Sequence, residues 1–217
     1  MTRLQLFATP LLILTTAALV SGCALRGSGT KMTETREVEA FTGVDVSGAM
    51  DVHIEVGADQ TIEVSGDDNI VPKVTTTVEG SRLIISVDAN NVRPKLPIEL
   101  NITVPSLADV DLSGASDLEV TGLHGEKFEV DISGAADAVF AGSVDTFEVD
   151  ISGAAELDAA ELTAKNVELE LSGAADAKVH ATDTLDVEVS GAGSVEYLGS
   201  PTVTKEVSGA ATVKAAG

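Results

Sequence analysis

Apolar and polar residues alternate with a period of two along most of the chain. Phe128, Val130 and Ile132 are separated by Glu129 and Asp131, and Phe147, Val149 and Ile151 by Glu148 and Asp150. Val167, Leu169 and Leu171 are separated by Glu168 and Glu170, and Leu185, Val187 and Val189 by Asp186 and Glu188. Such alternation predicts strands with one buried and one solvated face. Each run ends in Ser-Gly-Ala, a tripeptide that begins at Ser47, Ser113, Ser133, Ser152, Ser172, Ser190 and Ser208. After it the alternation resumes, at Leu118 and Val120, Ala138 and Phe140, Leu157 and Ala159, Ala177 and Val179, and Val195 and Tyr197. From Ser113 onward the tripeptides follow one another at nearly constant spacing, close to twenty positions.

A repeat near twenty residues, with two strands hinged at Ser-Gly-Ala and no helical period, predicts an all-β solenoid. The expected form is a right-handed parallel β-helix with coils of about 18–20 residues, stacked about 4.8 Å apart. The hinge glycine is expected to supply a backbone angle that other residues resist. A two-sheet β-sandwich is the alternative fold, since it explains the alternation but not the interval. Between Ser47 and Ser113 the repeat reads as degenerate coils: Ile62–Gly66 keeps the rhythm, whereas Arg82–Val87 and Ile98–Ile102 are strands without the hinge. Pro94 and Pro97 mark a loop.

The chain opens with Arg3 and a mostly apolar stretch from Leu4 to Val20, the pattern of an export signal. Its end, Val20-Ser21-Gly22-Cys23, resembles the lipobox of bacterial lipoproteins. That resemblance implies cleavage before Cys23 and acylation of the cysteine, and two or three acyl chains give stable anchoring. Ala24 after the cysteine points to the outer rather than the inner membrane under enterobacterial sorting rules. Cys23 is the single cysteine, so the exported domain is expected to fold without disulfides. The organisation that follows is a lipoprotein signal peptide over residues 1–22, a lipidated cysteine and flexible tether over 23–37, and a single β-solenoid domain over 38–217.

Charge narrows the function classes. Thirteen Lys and Arg stand against 35 Asp and Glu, a formal net charge of −22. This balance argues against nucleic acid and against direct adsorption to an anionic membrane face. The polar positions place carboxylates in columns. Two before each serine stand Asp111, Asp131, Asp150, Glu170, Glu188 and Glu206; four before it stand Asp109, Glu129, Glu148, Glu168 and Asp186. A third column follows the hinge at Asp51, Asp117, Asp137, Glu156 and Asp176. Oxygen-rich columns suit calcium, but each ion needs six to eight converging ligands. The expectation is therefore a solvated face that keeps the sheet from sticking to others, with no cofactor and no assigned metal site; weak calcium screening is the alternative. His53, His124 and His180 lack paired zinc-ligand spacing. The hinge serines have no positioned base and read as turn residues bonding their own backbone.

Val-Asp-Ile-Ser-Gly-Ala-Ala-Asp at Val130–Asp137, nearly repeated at Val149 and Leu169, resembles the bacterial GIN-domain family of auto-transporter adhesin heads. So do Phe41–Gly57 and the run from Thr103-Val-Pro-Ser-Leu107 into Val110–Ala115. The resemblance spans Val38 to Gly217 and implies an exported, often lipid-anchored, β-helical domain; it brings no catalytic residue. The expected role is non-enzymatic, adhesin-like or envelope-structural. The membrane is the expected partner through the lipid anchor, the protein or glycan ligand is unassigned, and oligomerisation is left open. A β-helix polysaccharide-processing enzyme is one alternative. It is disfavoured because tryptophan is absent, Tyr197 is the single tyrosine, and Phe128, Phe140 and Phe147 sit at core positions. The other alternative is a periplasmic accessory or sensor lipoprotein.

Overall fold

The computed structural model describes residues 24–89 and 91–216, so Cys23 and the expected signal peptide lie outside the described residues. The fold is all-β. Strands β1 (Leu25–Arg26), β2 (Lys31–Arg36), β3 (Gly43–Gly48), β4 (Asp51–Val56) and β5 (Thr61–Asp67) precede a short 3₁₀ turn at Val71–Lys73. Then come β6 (Val74–Glu79), β7 (Arg82–Val87), β8 (Val92–Arg93), β9 (Glu99–Val104), the 91-residue β10 (Asp109–Gly199) and β11 (Thr202–Ala215).

β10 makes several passes, each laid on the one before in parallel register. Asp109–Gly114 pairs with β3, Asp117–Thr121 with β4, and Thr184–Tyr197 with β11, where Ser190 faces Ser208. The hinge glycines fall in one column: a Cβ at Gly114, Gly134, Gly153, Gly173, Gly191 or Gly209 would overlap the carbonyl oxygen of the hinge glycine one pass earlier. Close approach is thus the common reason for glycine at the hinge. The expected backbone angle is a second reason at Gly48, Gly114, Gly173 and Gly209, where φ lies between 122° and 130°, and not at Gly134, Gly153 or Gly191.

The inward residues of successive passes fill one core. Phe128, Phe140 and Phe147 are buried together, with ring centroids 5.4–6.0 Å apart. A third inward point per pass, absent from the two-strand expectation, is supplied by Leu123, Val144, Leu162 and Ala181, all buried.

The first third of the chain differs from the degenerate coils expected of it. β5 runs antiparallel to both β9 and β2, and β6 runs antiparallel to β7. These strands close the molecule at that end. Period-two alternation reads identically in both directions, so Ile62–Gly66 carried no mark of its reversal. The stretch read as a flexible tether over 23–37 is also corrected: Leu25–Arg26 and Lys31–Arg36 are strands of the domain. β1 is held by β8 and β2 by β5, and the turn between β1 and β2 by Asp67, fully buried, whose carboxylate accepts from the backbone N–H of Gly29 at 2.6 Å, Lys95 at 2.8 Å and Leu96 at 3.1 Å. Neighbouring Asn69 donates to the Arg26 carbonyl at 2.8 Å and accepts from the Ser28 N–H at 2.9 Å.

Candidate functional site

The alternation that buries Val130, Val149 and Leu169 turns the residues between them to solvent. Asp131, Asp150, Glu170 and Glu188 are exposed, and Asp111 is half-buried. Asp111 pairs in register with Asp45, and Glu188 with Glu206, which extends the column to both neighbouring strands. Glu129, Asp131, Glu148, Asp150, Glu168 and Glu170 share one shallow groove; Glu168, Glu170, Asp186 and Glu188 line the next. The two columns therefore form one acidic face.

Cations compensate this face at one end. Arg82 of β7 pairs with both Asp109 and Asp111. Lys127 Nζ lies 2.6 Å from Glu148 and 3.2 Å from Glu129. These hydrogen bonds to Glu148 and Glu129 raise the Lys127 pKa by favouring the charged ammonium. Asp109 moves upward as well, first through burial and then through the Glu129 and Asp131 carboxylates, against the pull of Arg82. Further along, Asp131, Asp150, Glu168, Glu170, Asp186 and Glu188 have no ion-pair partner among the described residues. No group of three or more His, Cys, Asp or Glu among the described residues is disposed to hold a metal ion. Like charges one strand apart repel by about 1 kcal/mol even at the dielectric of water.

In the third column one carboxylate is tied up locally. Asp176 accepts from both the N–H and the hydroxyl of Ser194 one pass later, at 2.8 and 2.6 Å. Asp51 is raised by burial and by the carboxylates of Asp117 and Glu99.

The histidines stay apart. His53 Nδ1 lies 3.1 Å from Glu119 and His124 Nδ1 lies 2.9 Å from the Gly122 carbonyl. Glu119, His53, Asn101 and Glu63 are cross-strand neighbours in one row and, with Thr103, line a cleft of about 420 Å³. Two of the hinge serines differ from expectation in their partners. Ser47 donates to Ile85 O and Ser113 to Val46 O, so they bond the neighbouring strand and not their own turn.

Two features had no counterpart in the sequence reading. One is the Asp67 clasp. The other is an apolar groove of about 640 Å³ beside β8, walled by Ala49, Val87, Val92, Pro94, Ile98 and Ala115. Both bring together residues far apart in the chain, which a single sequence does not signal.

Comparison with known proteins gives the fold its relatives. A crystal structure from Bacteroides fragilis NCTC 9343, described as a putative adhesin, matches with TM-score 0.73 and 22% identity, over 89% of this chain and 100% of that one. A structure from Parabacteroides distasonis ATCC 8503, described as a putative lipid binding protein, matches with TM-score 0.57 and 16% identity over 90% and 100%. One from Parabacteroides merdae ATCC 43184, described as a putative adhesin, has TM-score 0.57 and 18% identity over 89% and 99%. At these identities the likeness is one of fold. No curated protein matches the chain. Residues 40–201 match the model of the family described as "Putative auto-transporter adhesin, head GIN domain", and the chain belongs to that family.

Proposed function

We propose that this protein is an exported, outer-membrane lipoprotein, anchored through Cys23, that serves as a non-enzymatic, adhesin-like binding module of the cell envelope. The stacked passes are read as a right-handed parallel β-helix. Parallel register and hinge glycine set on hinge glycine support that form over a two-sheet sandwich. The observation that carries the function is the repetition itself. Every pass presents the same small hinge and the same carboxylates, which suits many equivalent weak contacts along a rigid rod. Catalysis needs a nucleophile, base and acid converging on one point, and repetition of a single turn does not build that.

Residues 1–22 are assigned as the signal peptide and removed. The test is fractionation together with protease accessibility on intact cells. Wild type should carry acyl mass and sediment with membranes, and Cys23→Ser should leave the membrane fraction or remain unprocessed. Digestion at the cell surface supports adhesion, whereas protection of a membrane-bound protein moves the role to the periplasm.

The apolar groove beside β8 favours a second reading, in which the module takes up an acyl chain. The description of the Parabacteroides distasonis neighbour as a lipid binding protein is in keeping with it. Saturable binding of a fluorescent fatty acid, lost when the exposed groove residue Ala115 is replaced in Ala115→Asp at preserved fold, would support this reading; no binding would end it.

A further inference from the structure

Cations are scarce in this molecule, and where they stand is informative. Lys31, Arg36, Arg82, Lys127, Lys165 and Lys214 each pair with a carboxylate. Arg26, Arg93 and Lys95 are exposed and have no ion-pair partner among the described residues. Lys73, Lys178 and Lys205 also lack one, but they stand singly on separate elements, whereas these three lie together. Arg26 and Arg93 are register partners in the β1–β8 ladder, so their side chains leave the same face of a two-stranded sheet. Lys95 Nζ donates to the Ser28 carbonyl at 3.0 Å, beside them.

Like charges opposite one another weaken a ladder, so the fold spends stability to keep two guanidiniums there. Over residues 24–36 and 91–97 there are five cations and one carboxylate, Glu34, which Arg36 engages at 2.9 Å. Three further carboxylates reach this place: Glu99 lies 3.5 Å from Lys31, and Asp67 and Asp68 come from β5 and its turn. Asp67 is buried and committed to three backbone N–H groups, and Asp68 accepts the Ser28 hydroxyl at 2.5 Å. Five cations stand against the four carboxylates Glu34, Asp67, Asp68 and Glu99, so the patch keeps a small positive excess, exposed on Arg26 and Arg93, inside a chain of net charge −22.

We propose that this patch is a docking surface for anionic phospholipid headgroups, seating one end of the domain on the membrane that carries it. The inference rests on the lipid anchor proposed above. Arg26 follows Cys23 closely, at most about 11 Å of extended chain away. The clasp fixes Arg26, Gly29 and Lys95, so the first strand of the domain and the patch move as one body. Basic clusters next to a membrane anchor are drawn to anionic headgroups over about one Debye length, some 8 Å at physiological salt. This short range reconciles the patch with the overall charge. The headgroups act on Arg26, Arg93 and Lys95, whereas the acidic columns belong to a different sheet.

The test uses the mature lipoprotein in vesicles of phosphatidylcholine alone or with phosphatidylglycerol, read by amide hydrogen exchange. Residues 25–29 and 92–96 should exchange on the order of tenfold more slowly in the anionic vesicles. The gain should vanish in high salt and in Arg26→Glu/Arg93→Glu, whose substituted side chains are exposed and whose melting temperature should stay near wild type. Equal exchange in both vesicles, or a gain that survives charge reversal, overturns the proposal. Intact mass separates the two readings. Protein without acyl mass that still binds phosphatidylglycerol vesicles keeps the patch and loses the anchor; protein that binds neither vesicle loses both. A variant-sensitive association seen without vesicles would assign the patch to the acidic face of a second copy and overturn the lipid reading.

Discussion

Single atoms decide the tolerance of the hinge. At Gly153 an added methyl meets the Gly134 carbonyl and neither backbone can retreat without moving the passes on both sides. Gly153→Ala should therefore cost about 2 kcal/mol or more in chemical denaturation. Ile151, two residues earlier and fully buried, should be as sensitive: Ile151→Asp places an unpaired carboxylate in the core at a cost of several kcal/mol. The exposed Asp150→Asn should change stability by no more than about 0.5 kcal/mol. Equal losses at positions 150 and 151 would reverse the inward and outward assignment. Asp67 has a pH signature. Burial raises its pKa, but the N–H groups of Leu96, Lys95 and Gly29 outweigh burial and leave it below the ordinary 3.8. A lowered folded pKa stabilises above the unfolded value and is lost as pH falls through the folded one. Protection of those amides relative to their intrinsic exchange rates should thus fall below about pH 4, and Asp67→Asn should show low protection there already at neutral pH.

At the scale of strands, the two ends of the stack are finished differently. The antiparallel strands β2, β5 and β6 close one end. At the other, β11 pairs with β10 on one side, and Lys205 stands in register with the buried Val187, in the column that elsewhere faces the core. A charge at an inward position of an edge strand discourages further strand addition. Lys205→Val should turn that edge into an adhesive one and give concentration-dependent association by size-exclusion chromatography. A strictly monomeric Lys205→Val would assign protection of the edge to something else. The sequence made most of this level readable. Alternation around Phe128–Ile132 and Phe147–Ile151 located strands and faces, and the tripeptide located the register, because the structure sets each hinge on the last. Direction and closure escaped it. β5 alternates like any other strand, and Asp67 gains its meaning from Gly29, Lys95 and Leu96, which stand on other segments of the chain.

For the whole molecule the governing quantity is charge. Carboxylates stacked along β10 repel one another, so added salt should raise the melting temperature. Sodium and calcium at matched ionic strength should act alike if the face is merely solvated. A saturable effect of submillimolar calcium, lost when Asp131, Asp150 and Glu170 are replaced by Asn or Gln, would instead make the columns a binding site. The acidic face was legible because a period of two with a fixed repeat assigns every charge to a column. The basic patch was not, since Arg26 and Arg93 are distant in sequence and the net charge conceals them.

The one-coil register between β11 and the strand beneath it has a mechanical consequence. If the domain is anchored as proposed, load applied at the C-terminus would meet inter-strand hydrogen bonds one strand at a time, as in peeling tape, instead of shearing many together. Each pass released would lengthen the chain on the order of 60 Å, and near-equal repeats would make these steps near-equal. A tethered module of this kind would yield under tension gradually and from its far end, leaving the clasped foot folded until last.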